Sequence, residues 1–188
     1  MSLPKILPSN DPRLKQVAAP VVDVFASKFQ EKARVLKACL DDFRQQHGFG
    51  RGIAAPQIGV AHRFIALNLG QGSFLVINPE ITWRSEQRFS MWDDCMCFPD
   101  LLVKVWRHHS ISLRFLDEQG QLQEWQQLEP AVSELLQHEI DHLEGVLALD
   151  LAVNAESIVE RVVYDANPSF YQAQVDYVIK PTISKEVM

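Results

Sequence analysis

The sequence predicts an α+β fold in which antiparallel β-sheets pack around a central helix that carries an H-E-x-x-H motif. Three observations lead there. Apolar residues recur every three to four positions from Ser27 to His47, the mark of an amphipathic helix. Two stretches in the middle of the chain alternate apolar and polar residues around turn-forming segments, the mark of antiparallel hairpins. A second helical segment then opens at Pro130 and contains His138-Glu139-Ile140-Asp141-His142.

Taken in order, the opening Ile6 to Leu14 is broken by Pro8 and Pro12 and reads as an extended arm with turns. In the helix that follows, Phe29, Ala33, Leu36, Leu40 and Phe43 form the inward stripe, Lys32, Lys37 and Asp41 stay wet, and Gly48 offers a stop. Glycines at 48, 50 and 52 lead into the small-residue segment Ile53-Ala54-Ala55-Pro56-Gln57. Taken alone, that pattern is a tight turn between helix and strand, and it lacks the lysine and hydroxyl residue of a phosphate-binding loop. Arg63–Leu67 and Ser73–Ile77 form a hairpin around Gly70-Gln71-Gly72, closed by Asn78-Pro79. Ser110 to Trp125 forms a second hairpin with its turn at Asp117–Gly120. The Pro130 helix ends near Gly145. Beyond Leu151 the chain has amphipathic helical character up to Tyr164, and Asn167-Pro168 breaks it; Ser169 to Met188 could pack on the body, swap between subunits or extend over a cleft.

The histidine motif carries the chemistry. Residues four apart on a helix lie one above the other, so His138 and His142 can present nitrogens to one metal ion while Glu139 points at whatever that ion binds. A hydrolytic metal site needs a third protein ligand and one open position. One metalloprotease class places a third histidine six residues after the second; Gly145 fits that pattern, but Ala148 stands at the histidine position. Another class takes a glutamate from a following helix, but Glu156 and Glu160 read more simply as solvated helix face. Cys95 and Cys97 remain, and a thiolate beside two imidazoles suits a first-row divalent metal.

Composition narrows the class. A chain of 188 residues, 47% hydrophobic, can enclose one sizeable core, and we read residues 1–188 as a single domain with a C-terminal extension from about 152 onward. A net charge of −6 and the absence of a lysine/arginine cluster argue against nucleic-acid binding. Three cysteines, with Cys39 isolated, make a poor disulfide framework, so a reducing cytoplasm is expected. No apolar run approaches the ~20 residues needed to cross a bilayer, and no export segment opens the chain.

Three segments, in order, carry a family resemblance: Gly50-Arg51-Gly52-Ile53-Ala54-Ala55-Pro56-Gln57, the stretch around Cys95, and Gln137-His138-Glu139-Ile140-Asp141-His142-Leu143-Glu144-Gly145. Together with Asp11-Pro12-Arg13-Leu14 and Pro20-Val21, the chain resembles the peptide deformylases over roughly residues 5 to 150. The resemblance implies that Cys95, His138 and His142 hold one divalent metal, typically ferrous iron in this family, with zinc, nickel or cobalt also accepted. It implies that Glu139 is the general base and that the Gln57 amide and the Met96 backbone N–H stabilise an oxyanion. Gly50 and Gly52 would let main chain run beside the substrate, with Gln137 and Asp141 supporting the site. The implied reaction removes the formyl group from the N-terminal formyl-methionine of nascent peptides at the ribosome, releasing formate and a free amine.

Departures from the family pattern mark where this chain differs. The family usually reads Glu-Gly-Cys-Leu-Ser around the cysteine; here the residues are Asp93-Asp94-Cys95-Met96-Cys97. Asp94 brings a carboxylate toward the cleft, and Cys97 is expected to support the site rather than ligate. Arg51 replaces an apolar residue, and Glu134 lies one turn before His138, near where the family builds its methionine pocket. An Arg51–Glu134 ion pair in or beside that pocket would alter substrate choice; alternatively both side chains reach solvent. The other readings are an amidase using the same centre on another formylated or short-acylated amine, and a non-catalytic binding protein of this fold. His47, His62, His108 and His109 lack ligand spacing, and Trp92 is placed at the border of the cleft.

Overall fold

The computed structural model describes residues 3–179. The opening arm contains one 3-10 turn, Pro12–Lys15, and leads into α1 (Ser27–His47). Then come β1 (Gly52–Ala54), β2 (Phe64–Asn68), β3 (Ser73–Arg84), β4 (Arg88–Asp94), β5 (Leu101–His108), β6 (Ile111–Leu116) and β7 (Leu122–Trp125). The motif helix α2 spans Pro130–Leu143, followed by β8 (Ile158–Glu160), α3 (Arg161–Ala166) and α4 (Pro168–Gln172). One sheet has the order β1-β2-β3-β6-β7 and the other β4-β5-β8, and every strand pairing in both is antiparallel. No helix among the described residues is long and apolar enough to cross a membrane.

The amphipathic stripe of α1 does what its spacing requires. Phe29, Ala33, Leu36 and Leu40 are buried against Phe64, Ala66, Leu75 and Ile77, and Gly48 ends the helix with a left-handed φ of 75° and an N–H bond to the Arg44 carbonyl at 2.8 Å. The opposite face of the same sheet packs on α2. Ile65, Leu67, Val76 and Ile111 meet Leu136, Ile140 and Leu143 there. Because helices cover both faces, β2 is buried along its whole length, which is why its sequence is apolar without alternation from Phe64 to Leu67, before the buried Asn68. Met91, Val103 and Val105 of the second sheet build a third cluster with Phe98 and with Leu14 of the opening arm, and that cluster holds Cys95 and Cys97. The motif helix therefore sits between two sheets, with one face on each side of the molecule's interior.

Two elements differ from their sequence reading. Asn78-Pro79 does not close a hairpin; β3 runs through it to Arg84 with a register shift between Ile77 and Glu80. Asn78 adopts φ 50° at this bulge, a conformation asparagine tolerates, and its side chain exchanges two 2.8 Å hydrogen bonds with the Val21 backbone. Pro79 has no N–H to give, and a bulge asks for none. The stretch after Leu151 is also not one helix up to Tyr164. A 3-10 turn at Ala155–Ser157 and the short strand β8, paired to β5, precede α3. A short apolar run bounded by polar residues fits either period, and the open edge of β5 decides in favour of the strand. Glu156 and Glu160 are exposed, and α3 ends before the Asn167-Pro168 break, both as expected.

Candidate metal centre

Cys95 follows directly on β4, and His138 and His142 lie one turn apart on α2. The fold brings the three together. Cys95 Sγ lies 3.3 Å from His142 Nε2, which lies 3.2 Å from His138 Nε2, and the potential ligand atoms are all within 4.8 Å of one another. The edges of a tetrahedron around a divalent ion with N and S ligands are roughly 3.4 Å (N to N) and 3.6 Å (N to S) from bond lengths of ~2.1 and ~2.3 Å. The Cys95–His142 and His142–His138 spacings are close to those edges. The donor set, one sulfur and two imidazole nitrogens, fits a first-row divalent cation.

The second layer fixes these groups. His138 Nδ1 faces the Asp93 carboxylate at 3.0 Å, which turns its Nε2 toward Cys95 and His142. Asp93 is in turn held by Arg107 at 2.8 Å, and Arg107 also pairs with Asp141. Burial works against ionised Asp93, yet His138 and Arg107 hold its carboxyl well below the usual range. Burial likewise opposes charge on His138, but Asp93 raises that ring to about 9. Burial, then the Cys97 contact, pushes the Cys95 thiol well above its ordinary value, and burial, then His138, pushes His142 well below its own. A cation held here would supply the positive charge that a buried thiolate needs.

Glu139 lies against this cluster. A Cβ built on Gly52 would come within 2.7 Å of Glu139 Oε1, so the carboxylate occupies space that only a glycine leaves. Glu139 Oε2 and His142 Nδ1 are buried with no hydrogen-bond partner among the described residues. Burial raises the Glu139 carboxyl to about 7 against the pull of His138. Gln57 anchors its Oε1 on the Ala54 N–H at 2.7 Å and directs Nε2 toward Cys95 Sγ (3.7 Å) and Cys97 Sγ (3.6 Å).

A cavity of about 380 Å³ opens on these groups and takes in Gly50, Arg51, Gly52, Gln57, Met96, Glu134, His138 and Glu139. Arg44 braces its rim, donating to the Gly50 and Asn68 carbonyls at 2.6 and 3.2 Å. Arg51 and Glu134 do form the ion pair, at 2.5 Å, and Arg51 also donates to the Ala131 carbonyl at 2.7 Å. Neither side chain reaches out to solvent, with Arg51 11% and Glu134 2% exposed. Asp94 lines the cavity and pairs with Arg161 at 3.0 Å. Gln137 ties α2 to β5 through both backbone groups of His108, and Trp92 borders the cavity.

Sequence reading missed Asp93 and Arg107 as supports of the centre. A signal existed for both: Asp93 is two residues before Cys95, on the same side of the chain, and Arg107 continues the inward positions Leu101, Val103 and Val105 of β5. It also left open the C-terminal segment, which the structure lays over the cavity through Gln172, Val175, Tyr177, Val178 and Ile179. Residues 180–188 of that stretch lie outside the described residues.

Comparison with known proteins points one way. Residues 3–157 match the family described as polypeptide deformylase. The chain is 34% identical over 152 residues to the peptide deformylase of Thermotoga neapolitana, covering 80% of this chain and 88% of that one. It is 30% identical to peptide deformylase 2 of Clostridium perfringens, covering 86% of this chain and all of the relative. Among solved structures, a peptide deformylase from Legionella pneumophila superposes with a TM-score of 0.74 at 28% identity, over 92% of this chain and 98% of the other.

Proposed function

Since the chain belongs to the peptide deformylase family, whose members are metal-dependent hydrolases of a formylated peptide amide, we propose that Cys95, His138 and His142 hold its cation, natively ferrous iron, and that Glu139 and Gln57 carry the reaction. Zinc, nickel and cobalt suit the same donors. When bound, the cation supplies Lewis acidity that polarises the formyl carbonyl and makes water a nucleophile near neutral pH.

The remaining work falls to the chain. Glu139 takes a proton from the attacking water and gives one to the departing amine, so water and the formamide become formate and a free amine. The Gln57 side-chain amide and the Met96 backbone N–H stabilise the charge that develops on the formyl oxygen. Gly50 and Gly52 let substrate main chain run close to the protein. Arg51 and Glu134 line the substrate side of the cavity and adjust which first side chain is accepted. The substrate is the N-terminal formyl-methionine of a peptide, nascent at the ribosome in the cytoplasm, and no nucleic-acid contact is needed.

The convergence of Cys95, His138 and His142 beside Glu139 is the observation that carries this reading. Anaerobic purification, metal quantification and a formate-release assay on formyl-methionyl peptides test it. One divalent ion per chain with formate release is expected. Stoichiometric metal without release on any formyl peptide would favour a non-catalytic binding protein.

A further inference from the structure

The C-terminal segment occupies part of the strand edge along which an extended substrate would run. Strand β4 is an edge strand of its sheet and leads straight to Cys95. Hydrogen-bonding directions alternate along a strand, so Ser90, Trp92 and Asp94 turn their main-chain groups away from β5 and toward the cavity side. Such an edge is where an extended peptide gains affinity, by adding itself as one more strand.

The far end of this edge is already taken. The Ser90 carbonyl accepts the N–H groups of Asp176 and Tyr177, each at 3.1 Å. In return the Asp176 carboxylate accepts the Ser90 N–H at 2.8 Å and the Ser90 hydroxyl at 2.7 Å. Tyr177 bridges Met91 in parallel register and rests its ring on Phe89 at 4.8 Å. The Trp92 indole donates to the Tyr171 carbonyl at 2.8 Å, and Lys104 to the Gln174 carbonyl at 2.7 Å. The segment lies beyond residue 157, where the family match ends. It is fastened to the body by side chains and main chain from Tyr171 onward rather than by one contact.

We propose that residues 171–179 end the peptide-binding edge of this site, so that it reads the formyl group and the first two residues of its substrate and gains nothing from those further down. Because Tyr177 bridges Met91 in parallel, Val178 and Ile179 continue from it in the direction of Cys95 and line the same cavity. The room left is therefore at most the three strand positions from Cys95 back to Trp92, roughly 10 Å, enough for two substrate residues. The inference rests on the deformylase reading and adds to it the length of substrate that is recognised.

A ladder of formyl-Met, formyl-Met-Ala, formyl-Met-Ala-Ser and a formylated hexapeptide, assayed with the metal-loaded full chain, tests it. Expected is a kcat/KM that changes by less than about twofold beyond the dipeptide. The double variant Asp176→Ala/Tyr177→Gly, which releases the edge, is expected to gain about tenfold between dipeptide and hexapeptide, the worth of one or two new main-chain hydrogen bonds. A tenfold gain in the unmodified chain overturns the proposal even if the variant fails to fold, and so does a folded variant whose ladder matches the parent. Formate release from no member of the ladder would instead overturn the deformylase reading, and this inference with it.

Discussion

Replacing Gly52 with alanine tests how Glu139 is placed. The new methyl carbon would stand 2.7 Å from Glu139 Oε1, 3.1 Å from Glu139 Cδ and 3.0 Å from Leu67 Cδ2. Ordinary contact begins near 3.4 Å, so the carboxylate must retreat by roughly 0.7 Å, and displacements of about 1 Å in a catalytic group cost up to ~100-fold. The backbone offers no such objection: Gly52 lies in β1 and is not among the left-handed glycines. Alanine there also removes unfolded-chain freedom, worth ~0.4–1 kcal/mol in favour of the fold, which offsets part of the crowding. We therefore expect kcat to fall by about 10- to 100-fold, with metal content unchanged and thermal stability shifted by no more than about 1 kcal/mol. Formate-release kinetics, elemental analysis and a melting curve on one preparation read all three. Undiminished kcat in the folded, metal-replete variant would refute the placement of Glu139 as the proton-carrying group.

Glu139→Gln is expected to keep its metal and lose at least ~100-fold in kcat, measured by the same assays, because the amide cannot carry the proton. Arg107→Met leaves the buried Asp93 without its guanidinium and is expected to cost about 3–5 kcal/mol in urea unfolding. Arg51→Met alone strands buried Glu134 in the same way, whereas Arg51→Ile/Glu134→Ile should recover most of that stability and raise the ratio of kcat/KM for formyl-Met over formylated peptides with polar first residues; an unchanged ratio would show that the pair does not set the preference. Burial, then Asp42, raises the Cys39 thiol from 9.0 to about 11. The fold thus favours the neutral thiol, a contribution complete below pH 9 and lost between pH 9 and 11, and denaturation of Cys39→Ala across that window should show a shallower alkaline decline.

What could be read from the chain alone follows from how local each signal is. The α1 stripe with its Gly48 stop, the Ile111–Trp125 hairpin with its turn, and the histidine pair on α2 are written in neighbouring residues, so they needed no tertiary context. The union of Cys95 with His138 and His142 is not local: elimination of other ligand classes narrows the third donor to Cys95 or Cys97, and the choice of Cys95 rests on three ordered motifs that resemble a known family. Asp93 and Arg107 escaped because a buried charge is stable only through a partner distant in sequence, here across β4, β5 and α2. The strand that continues through Asn78-Pro79 escaped because its bulge is locked by Val21 from the opening arm. The course of residues 171–179 depends on the free edge of β4, which no pattern within the segment announces.

The proposed chemistry requires one sulfur and two imidazole nitrogens to share a single ion. X-ray absorption at the edge of the copurified metal measures that shell directly. One sulfur at ~2.3 Å and two nitrogens at ~2.0–2.1 Å are expected, with the sulfur lost in Cys95→Ser. A shell of nitrogen and oxygen alone, or a sulfur that persists in Cys95→Ser, would contradict it.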